Sequence, residues 1–232
     1  MKEILTAGFA ELGIPLPDGA LDRLEAYWHL LDEKNKVMNL TAIKGEEDCA
    51  RLHFLDCGAL LKFVDLKGRA CLDVGSGAGF PGIVLKILQP DMRLTMLDSL
   101  GKRVEFQKEV VEALGLTGVE CVNARAEECP ERRESYDVVT SRAVARLNML
   151  SELCLPFVKK GGLFAAMKGP AAAEELQEAG KALKKLGGGE GRIEEYAVPG
   201  TEATHCVLLV PKAGKTPPPY PRRWAAIKKA PL

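Results

Sequence analysis

The sequence lacks the features that mark secreted, membrane-spanning and zinc-binding proteins. No uninterrupted run of about 18 apolar residues occurs, and the N-terminal MKEILTAGFAELGIPLP has neither the basic start nor the small-residue cleavage site of a signal peptide. The seven cysteines form an odd set without a C-x-x-C pair, and the three histidines lie far apart. These absences argue against a membrane segment, a disulfide framework and a recognisable zinc site. We therefore expect a cytoplasmic protein that holds no metal.

The chain also lacks a net charge, with 32 basic and 32 acidic residues, so its overall electrostatics indicates no particular partner. The C-terminal region is the exception, because residues 211–232 contain six Lys or Arg and no acid. Such a basic end is either a phosphate-binding arm or a solvated terminus. Its proline-rich stretch KTPPPYPRR predicts an extended and partly mobile conformation.

The spacing of apolar residues divides the chain into a helical part and an alternating part. Residues 1–12 and 18–36 have helical periodicity, and a third helix is predicted from about Asp48 to Phe63. From Arg69 onward, short apolar runs alternate with amphipathic stretches, and RIEEYAV and HCVLLVP follow as a predicted antiparallel hairpin. This order predicts an α/β, Rossmann-like class I methyltransferase fold, with a seven-stranded, mostly parallel sheet, helices on both faces and an N-terminal helical subdomain. The predicted domains are 1–66 for the helical subdomain, 67–211 for the cofactor-binding domain and 212–232 for the tail.

The glycine-rich stretch CLDVGSGAGFPGI at residues 71–83 follows the first predicted strand and can be read in two frames. From Gly75 it reads G-x-G-x-G, and from Gly77 it matches the dinucleotide-binding fingerprint. Val74 ends the strand and Pro81 suits the first turn of the next helix, which favours the frame that starts at Gly75. In both frames the loop lies at the carboxyl end of a strand, where open parallel sheets bind ligands.

Two aspartates favour one cofactor over the other. Asp98 ends the second strand about twenty residues after the loop, at the spacing of a carboxylate that binds the ribose hydroxyls of an adenosine. Asp73 lies beside the loop, where a carboxylate would repel a pyrophosphate but would attract the ammonium of a sulfonium amino acid. The combination favours S-adenosylmethionine. The residues predicted to bind it on these grounds are Asp73, Gly75, Gly77, Gly79 and Asp98.

Segments spread over nearly the whole chain resemble a known family. They are NKVMNLTAI (35–43), HFLD (53–56), LDVGSGAGFPGI (72–83), LDSLGKRVEF (97–106), RAEE (125–128), SRAVARL (141–147), MKG (167–169) and the YPRR of the tail. In these segments the chain is similar to the ribosomal RNA small subunit methyltransferase G family, also called glucose-inhibited division protein B. The resemblance implies transfer of the methyl group of S-adenosylmethionine to N7 of a guanine in the decoding-region loop of 16S ribosomal RNA. The implied partner is that RNA or the assembled small ribosomal subunit.

The resemblance also implies roles for individual residues. Gly75 and Phe80 would line the cofactor. Ala126 and Glu127 would flank the adenine, and Arg142 would reach the cofactor or substrate side of the pocket. The chain departs from the family in its tail, where members often have glycine and this sequence has alanine at position 225.

The implied reaction makes few demands on catalytic side chains. Guanine N7 carries a free lone pair and no proton, so its attack on a sulfonium methyl group needs no general base. Catalysis is then expected to rest on positioning, with Arg142 as the candidate positioning residue. Because N7 lies in the deep, narrow groove of paired RNA, the target guanine is expected in a loop or splayed out of a helix.

Basic residues at two places are candidates for RNA contact. Lys168 ends the fifth predicted strand and is either a phosphate contact or a solvated lysine. In the tail, Tyr220 and Trp224 are interleaved with four cations, a pattern that fits phosphate contact combined with base stacking. Truncation after Val210 is therefore expected to weaken RNA binding and to preserve cofactor affinity. For the oligomeric state, a monomer is the default expectation. The predicted RNA-binding residues are Lys168, Arg222, Arg223, Lys228 and Lys229.

Other functions stay open at the level of the sequence. A nicotinamide-dependent oxidoreductase would use the Gly77 frame, but the sequence offers no convincing polar constellation for hydride transfer. A non-catalytic ribosome-binding protein of the same fold would bind the ribosome without methyl transfer. A small-molecule methyltransferase is disfavoured by the basic tail and by the motifs outside the cofactor pocket.

Overall fold

A seven-stranded sheet forms the centre of the computed structural model, which describes residues 1–202 and 204–232. Its strands are β1 Ala70–Val74, β2 Arg93–Asp98, β3 Val119–Asn123, β4 Tyr136–Arg142, β5 Val158–Lys168, β6 Arg192–Ala197 and β7 Thr204–Pro211. They lie in the order β3-β2-β1-β4-β5-β7-β6. Strands β1 to β5 are parallel, whereas β7 lies antiparallel between β5 and β6. The predicted fold and the closing hairpin are confirmed, and a dinucleotide-binding domain would instead continue with parallel strands.

Helices cover both faces of the sheet and precede it. They are α1 Lys2–Leu12, α2 Ala20–Met38, α3 Glu46–Cys49, α4 Asp56–Gly58, α5 Gly82–Leu88, α6 Gly101–Ala113, α7 Leu147–Cys154, α8 Ala172–Lys185 and α9 Trp224–Lys229. The segment predicted as a third helix is helical but irregular. It contains a π-helical stretch at Ala50–Leu55 between α3 and α4, and it ends in a 3-10 helix at Ala59–Lys62.

The sheet separates two apolar cores, because successive side chains of a strand point to opposite faces. In β7, Val207 and Leu209 belong to the core shared with the N-terminal helices and α5. Leu208 and Val210 belong to the core shared with α7 and α8. Each of these side chains is almost completely buried, and full burial of one contributes about 1.5–3 kcal/mol.

The N-terminal helices support the glycine loop directly. The hydroxyl of Tyr27 in α2 donates a 2.6 Å hydrogen bond to the carbonyl oxygen of Ala78 within the loop. The Tyr27 ring is completely buried and stacks on Phe54 and Phe80. The N-terminal helices therefore share a core with the sheet, and the predicted domain boundary at residue 66 stays a prediction.

The C-terminal tail is docked on the protein, whereas the proline-rich sequence predicts a partly mobile arm. Ile227 is fully buried in the core beside α7, and the guanidinium of Arg222 forms a bidentate pair with the buried carboxylate of Glu152, with distances of 2.8 and 2.6 Å. Arg133 donates hydrogen bonds to the carbonyl groups of Thr216, Pro217 and Tyr220. These contacts with distant residues outweigh the local preference of the proline-rich stretch for a free, extended chain.

The described part of the chain contains neither a helix suited to cross a membrane nor a cluster of metal ligands. None of its helices combines the length and the apolar character that crossing a lipid bilayer demands. Within the same residues, His, Cys, Asp and Glu form no group of three or more that could hold a metal ion.

Candidate active site

The glycine loop begins where β1 ends at Val74 and leads into α5 at Gly82. Gly75 has a φ of 71°, a left-handed conformation that disfavours other residues. Its N–H donates a 2.8 Å hydrogen bond to the Leu97 carbonyl at the end of β2. A Cβ atom at Gly75 would lie 2.5 Å from the side chain of Val144. Position 75 therefore requires glycine both for the turn and for the close approach of the neighbouring loop.

Asp98 occupies the end of β2, as the sequence predicts. Its Oδ2 accepts the N–H of Gly77 at 2.8 Å, and its Oδ1 accepts the N–H of Leu100 at 2.9 Å. Each carboxylate oxygen retains a lone pair, so the buried group is oriented and can still accept hydrogen bonds from a ligand. This geometry suits the ribose hydroxyls of an adenosine.

A cavity of about 320 Å3, called here the first cavity, opens beside Asp98 at the carboxyl ends of β1 and β2. The predicted residues that line it are Gly75, Asp98, Ala126 and Glu127. Among the described residues, Val37, Leu100 and Val144 are the large apolar side chains that are exposed, and Leu100 and Val144 both line this cavity. The cavity thus combines oriented acids with uncovered apolar surface, which is the composition of a nucleoside-binding site.

Asp73 has a different environment from the one expected. Its carboxylate is completely buried and does not line the first cavity. Oδ2 accepts the N–H of Gly82 at 2.9 Å, while Oδ1 has no hydrogen-bond partner among the described residues. Burial raises the pKa of Asp73 to about 7. The carboxyl group orients the start of α5, and its contact with a cofactor ammonium stays a prediction.

A larger cavity of about 740 Å3, called here the second cavity, lies between the N-terminal helices and the ends of β4, β5 and β7. Its wall includes the charged and polar side chains of His53, Asp56, Arg142, Lys168, Glu175, Tyr196 and His205. The two cavities share Ala143 and Val144, which follow β4 and line both. Two ligands, one bound in each cavity, would lie next to each other at this shared wall.

Arg142 ends β4 and holds one side of the second cavity. Its guanidinium donates to Asp56 Oδ2 at 2.9 Å and to the Leu52 carbonyl at 3.1 Å, and it lies 2.6 Å from His53 Nδ1. Burial and the charge of Arg142 lower the pKa of His53 to about 3, so the neutral imidazole can accept this hydrogen bond. The ring of Phe80 stacks on His53 with centroids 4.1 Å apart. The Arg142 guanidinium lies over the same Phe80 ring, 5.2 Å from its centroid, and Phe80 itself lines neither cavity.

Asp56 is the centre of this polar cluster. In addition to Arg142, it accepts a 2.7 Å hydrogen bond from the Tyr196 hydroxyl and lies 2.6 Å from His205 Nδ1. Burial alone would raise the pKa of Asp56, but the hydrogen bond with His205 and the charge of Arg142 hold it below the ordinary value. The hydrogen bond to Asp56 in turn raises the pKa of His205.

The sequence did not single out Asp56, Tyr196 or His205 as site residues. Asp56 is part of the HFLD segment, which is the only local signal for any of them. His205 lies 149 positions after Asp56, on a strand whose apolar pattern indicates only burial. Their meeting depends on the insertion of β7 between β5 and β6.

The predicted RNA-binding residues fall into two groups. Lys168 is largely buried, where its ammonium pairs with Glu175 at 2.8 Å and donates a hydrogen bond to the Ala145 carbonyl at 2.6 Å. The guanidinium of Arg222 is paired with the carboxylate of Glu152. The other three predicted cations lie on the exposed surface of the tail; they are Arg223, Lys228 and Lys229. RNA contact by any of the five stays a prediction.

The residues around the first cavity fit S-adenosylmethionine. Asp98 is an oriented carboxylate of the kind that binds ribose hydroxyls, and Leu100 and Val144 provide exposed apolar surface of the kind that accepts a base. Gly75 lets the Val144 side chain approach the loop where a Cβ atom would collide with it, and both residues line the first cavity. A molecule with an adenosine at one end and a reactive methyl group towards the other matches this arrangement.

Comparison with solved structures places the fold. A precorrin-6y C5,15-methyltransferase from Geobacter metallireducens matches with a TM-score of 0.55 and 16% identity, covering 74% of this chain and 92% of that one. A SAM-dependent methyltransferase from Aquifex aeolicus matches with a TM-score of 0.51 and 24% identity, covering 71% and 93%. The strand order and these matches define the Rossmann-like α/β fold of class I methyltransferases.

Sequence comparison gives the family. The family model described as rRNA small subunit methyltransferase G matches residues 20–201. A protein of that name from Alkaliphilus metalliredigens is 46% identical over 235 residues, covering 100% of this chain and 98% of the relative. Another, from Acetivibrio thermocellus, is 43% identical over 235 residues, with 100% and 97% covered. The chain belongs to the rRNA small subunit methyltransferase G family, and the resemblance seen in the sequence is confirmed.

Proposed function

We propose that this protein transfers the methyl group of S-adenosylmethionine to N7 of a guanine in the decoding-region loop of 16S ribosomal RNA. Its membership of the family supports the substrate and the cofactor. The structural observation that carries the proposal is the pair of cavities that share the wall of Ala143 and Val144. One cavity has the composition of a nucleoside site, and the other has room for a nucleobase.

The first cavity would hold the cofactor. Asp98 would bind the ribose hydroxyls, and Ala126 and Glu127 would contact the adenine. Gly75 would lie beside the cofactor, at a position where a larger residue would displace Val144. S-adenosylmethionine supplies an electrophilic methyl group when it is bound. Roles for Asp73, Gly77, Gly79, Phe80 and Arg142 in holding its amino-acid part are likewise part of the proposal.

The second cavity would receive the target guanine. Its wall presents the guanidinium of Arg142 and the imidazole of His205, and N–H donors suit the O6 acceptor on the guanine edge that also carries N7. Because N7 needs no deprotonation, the task of these residues is orientation rather than proton transfer. Positioning of two reactants can lower a barrier by several kcal/mol, roughly 7 to 11 at the upper end.

The exposed face of the tail supports the RNA part of the proposal. Arg223, Lys228 and Lys229 are exposed and carry the charge that would contact phosphates near the target loop. Lys168 and Arg222 would act indirectly, by shaping the second cavity and by anchoring the tail. We also propose a monomer that works in the cytoplasm, where its ribosomal substrate is found and where its free cysteines stay reduced.

The decisive experiment measures transfer of labelled methyl groups from S-adenosylmethionine to small ribosomal subunits that lack this modification, followed by mapping of the labelled nucleotide and atom. Label at N7 of one guanine is the expected result. Asp98→Asn is the matched variant, because an amide of the same size cannot accept both backbone N–H groups with oxygen atoms. Binding of S-adenosylhomocysteine without any transfer to RNA or to subunits would favour the non-catalytic alternative.

A further inference from the structure

The C-terminal tail reaches the first cavity. Trp224, the first residue of α9, lines this cavity together with Gly75, Asp98 and Glu127. The sequence assigns this tryptophan to RNA, as a base-stacking partner among the basic residues of the tail. Its position instead makes this residue part of the wall of the first cavity.

Trp224 also makes a direct contact with a predicted adenine-binding residue. Its backbone N–H donates a 3.1 Å hydrogen bond to Glu127 Oε1. Among the described residues, this bond to Oε1 is the one hydrogen bond that the Glu127 carboxylate makes, and Oε2 takes no part in it. The tail therefore orients this acid and leaves one oxygen available to accept an exocyclic amino group of a base.

Three anchors fix Trp224 in this position. On one side of it in the chain, Arg222 is held by Glu152, which is completely buried and also accepts the Arg222 backbone N–H at 2.8 Å. On the other side, Ile227 is fully buried in the core beside α7. The ammonium of Lys228 lies over the indole, 5.6 Å from its centroid. A side chain held in this way is preorganised, which reduces the entropy lost when a ligand binds to it.

The composition of the wall specifies the part of the ligand that Trp224 would meet. Asp98 lies at the ribose position, and Glu127 lies beyond it after β3. Leu100 and Trp224 add apolar surface to the same cavity, and a purine ring is the flat, apolar group that such surfaces accept. We infer that Trp224 is a cofactor-binding residue that packs against the adenine of S-adenosylmethionine, so that the C-terminal tail forms part of the cofactor pocket. This inference rests on the proposed function, because it takes the first cavity as the cofactor site.

The test measures binding of S-adenosylhomocysteine to the full-length protein by calorimetry. Trp224→Ala is expected to raise the Kd about tenfold, since removal of one aromatic partner from a stacked base commonly has an effect of this size. Trp224→Phe keeps an aromatic ring and the backbone hydrogen bond, so its Kd is expected to rise less than threefold. Lys181→Ala, an exposed change on α8 that lines neither cavity, serves as the control and is expected to leave the Kd unchanged.

Tryptophan fluorescence gives a second readout that does not depend on activity. The chain has two tryptophans, and Trp28 lies in the other apolar core, with the N-terminal helices. Addition of S-adenosylhomocysteine is expected to change the emission of a Trp28→Phe variant, in which Trp224 is the only tryptophan. The same addition is expected to leave the emission of Trp224→Phe almost unchanged.

The outcomes separate this inference from the proposed function. If the unmodified protein binds S-adenosylhomocysteine and Trp224→Ala binds it within twofold of the same Kd, the assignment of Trp224 is overturned and the proposed function stands. Equal losses in Trp224→Ala and Trp224→Phe would also overturn the packing of the ring against adenine. If the unmodified protein does not bind this ligand, the cofactor assignment and the inference both fail. Circular dichroism and the Tm of each variant establish that the fold is retained.

Discussion

The two cavities of this site are built in different ways. The first cavity is lined largely by residues at the ends of β1 and β2 and after β3, so its parts are close to motifs that are visible in the sequence. The second cavity is lined by side chains from the N-terminal helices and from the ends of β4, β5 and β7. A cofactor that many enzymes share can be bound by a site built from short motifs, like the first cavity. A particular methyl acceptor needs a site built from side chains of distant elements, like the second cavity.

The cavities also differ in how their charges are balanced. Asp98 in the first cavity is oriented mainly by backbone N–H groups, and its nearest cation, Arg103, lies 3.8 Å away. Asp56 in the second cavity is buried among Arg142, His205 and Tyr196. Removal of one residue is therefore expected to disturb the second cavity more strongly than the first.

The largest expected effect is on the cluster around Asp56. Asp56→Ala leaves the buried guanidinium of Arg142 without its carboxylate, and we expect the free energy of unfolding to fall by about 3 kcal/mol. Chemical denaturation at pH 7 measures the change. Asp56→Asn keeps the size of the side chain and is expected to lower the free energy of unfolding by less. A loss below about 0.5 kcal/mol for Asp56→Ala would show that the cluster does not stabilise the fold.

The next largest effect is expected at Gly75, where the Val144 side chain lies close to the backbone of the loop. Gly75→Ala places a Cβ atom 2.5 Å from Val144, and we expect the affinity for S-adenosylhomocysteine to fall at least tenfold. Gly68→Ala is a matched control, because Gly68 also has a positive φ, of 69°, but a Cβ atom there meets nothing within 4 Å and the residue lies outside the proposed cofactor site. Calorimetry compares the two. Equal losses would assign the effect to backbone strain rather than to the approach of Val144.

A smaller effect concerns the pH dependence of stability through His205. Because the folded-state pKa of His205 is raised, protonated His205 stabilises the fold fully below the unfolded-state pKa of about 6.5, and this contribution is lost as the pH rises through the folded-state value. We expect His205→Gln to lower the free energy of unfolding by about 1 kcal/mol more at pH 6 than at pH 9. Denaturation of both proteins at the two pH values provides the measurement. A difference that grows with pH would contradict the pairing with Asp56.

The smallest effect of a single substitution is expected for RNA binding, at the exposed cations of the tail. Loss of one phosphate contact in Lys229→Ala should lower the slope of RNA affinity against salt concentration by about one, with little change in methyl transfer at low salt. RNA binding over a range of salt concentrations tests this. Lys67→Ala is the control, since Lys67 is exposed just before β1, at the opposite edge of the sheet from the cavities. Identical slopes for all three proteins would remove Lys229 from the RNA interface.

The tail shows where local patterns mislead. Prolines and cations in residues 211–232 indicate an exposed arm, and a local pattern contains no information about Glu152, Arg133 or the core that receives Ile227. Truncation after Val210 would remove Trp224 from the wall of the first cavity, so the inference about Trp224 predicts weaker cofactor binding where the sequence alone predicts unchanged affinity. A charge at the end of a chain can be an anchor as well as a contact for RNA.

The sequence by itself determined the alternation of strands and helices, the closing hairpin, the turn at Gly75 and the acid at Asp98. Each of these depends on residues that are adjacent or one strand apart, where periodicity and turn chemistry act directly. Only the tertiary structure decided that Asp56 meets His205 and that Trp224 meets Glu127, pairs separated by 149 and 97 positions. Such contacts are set by strand order and by the packing of distant apolar residues, neither of which has a local signature in the chain.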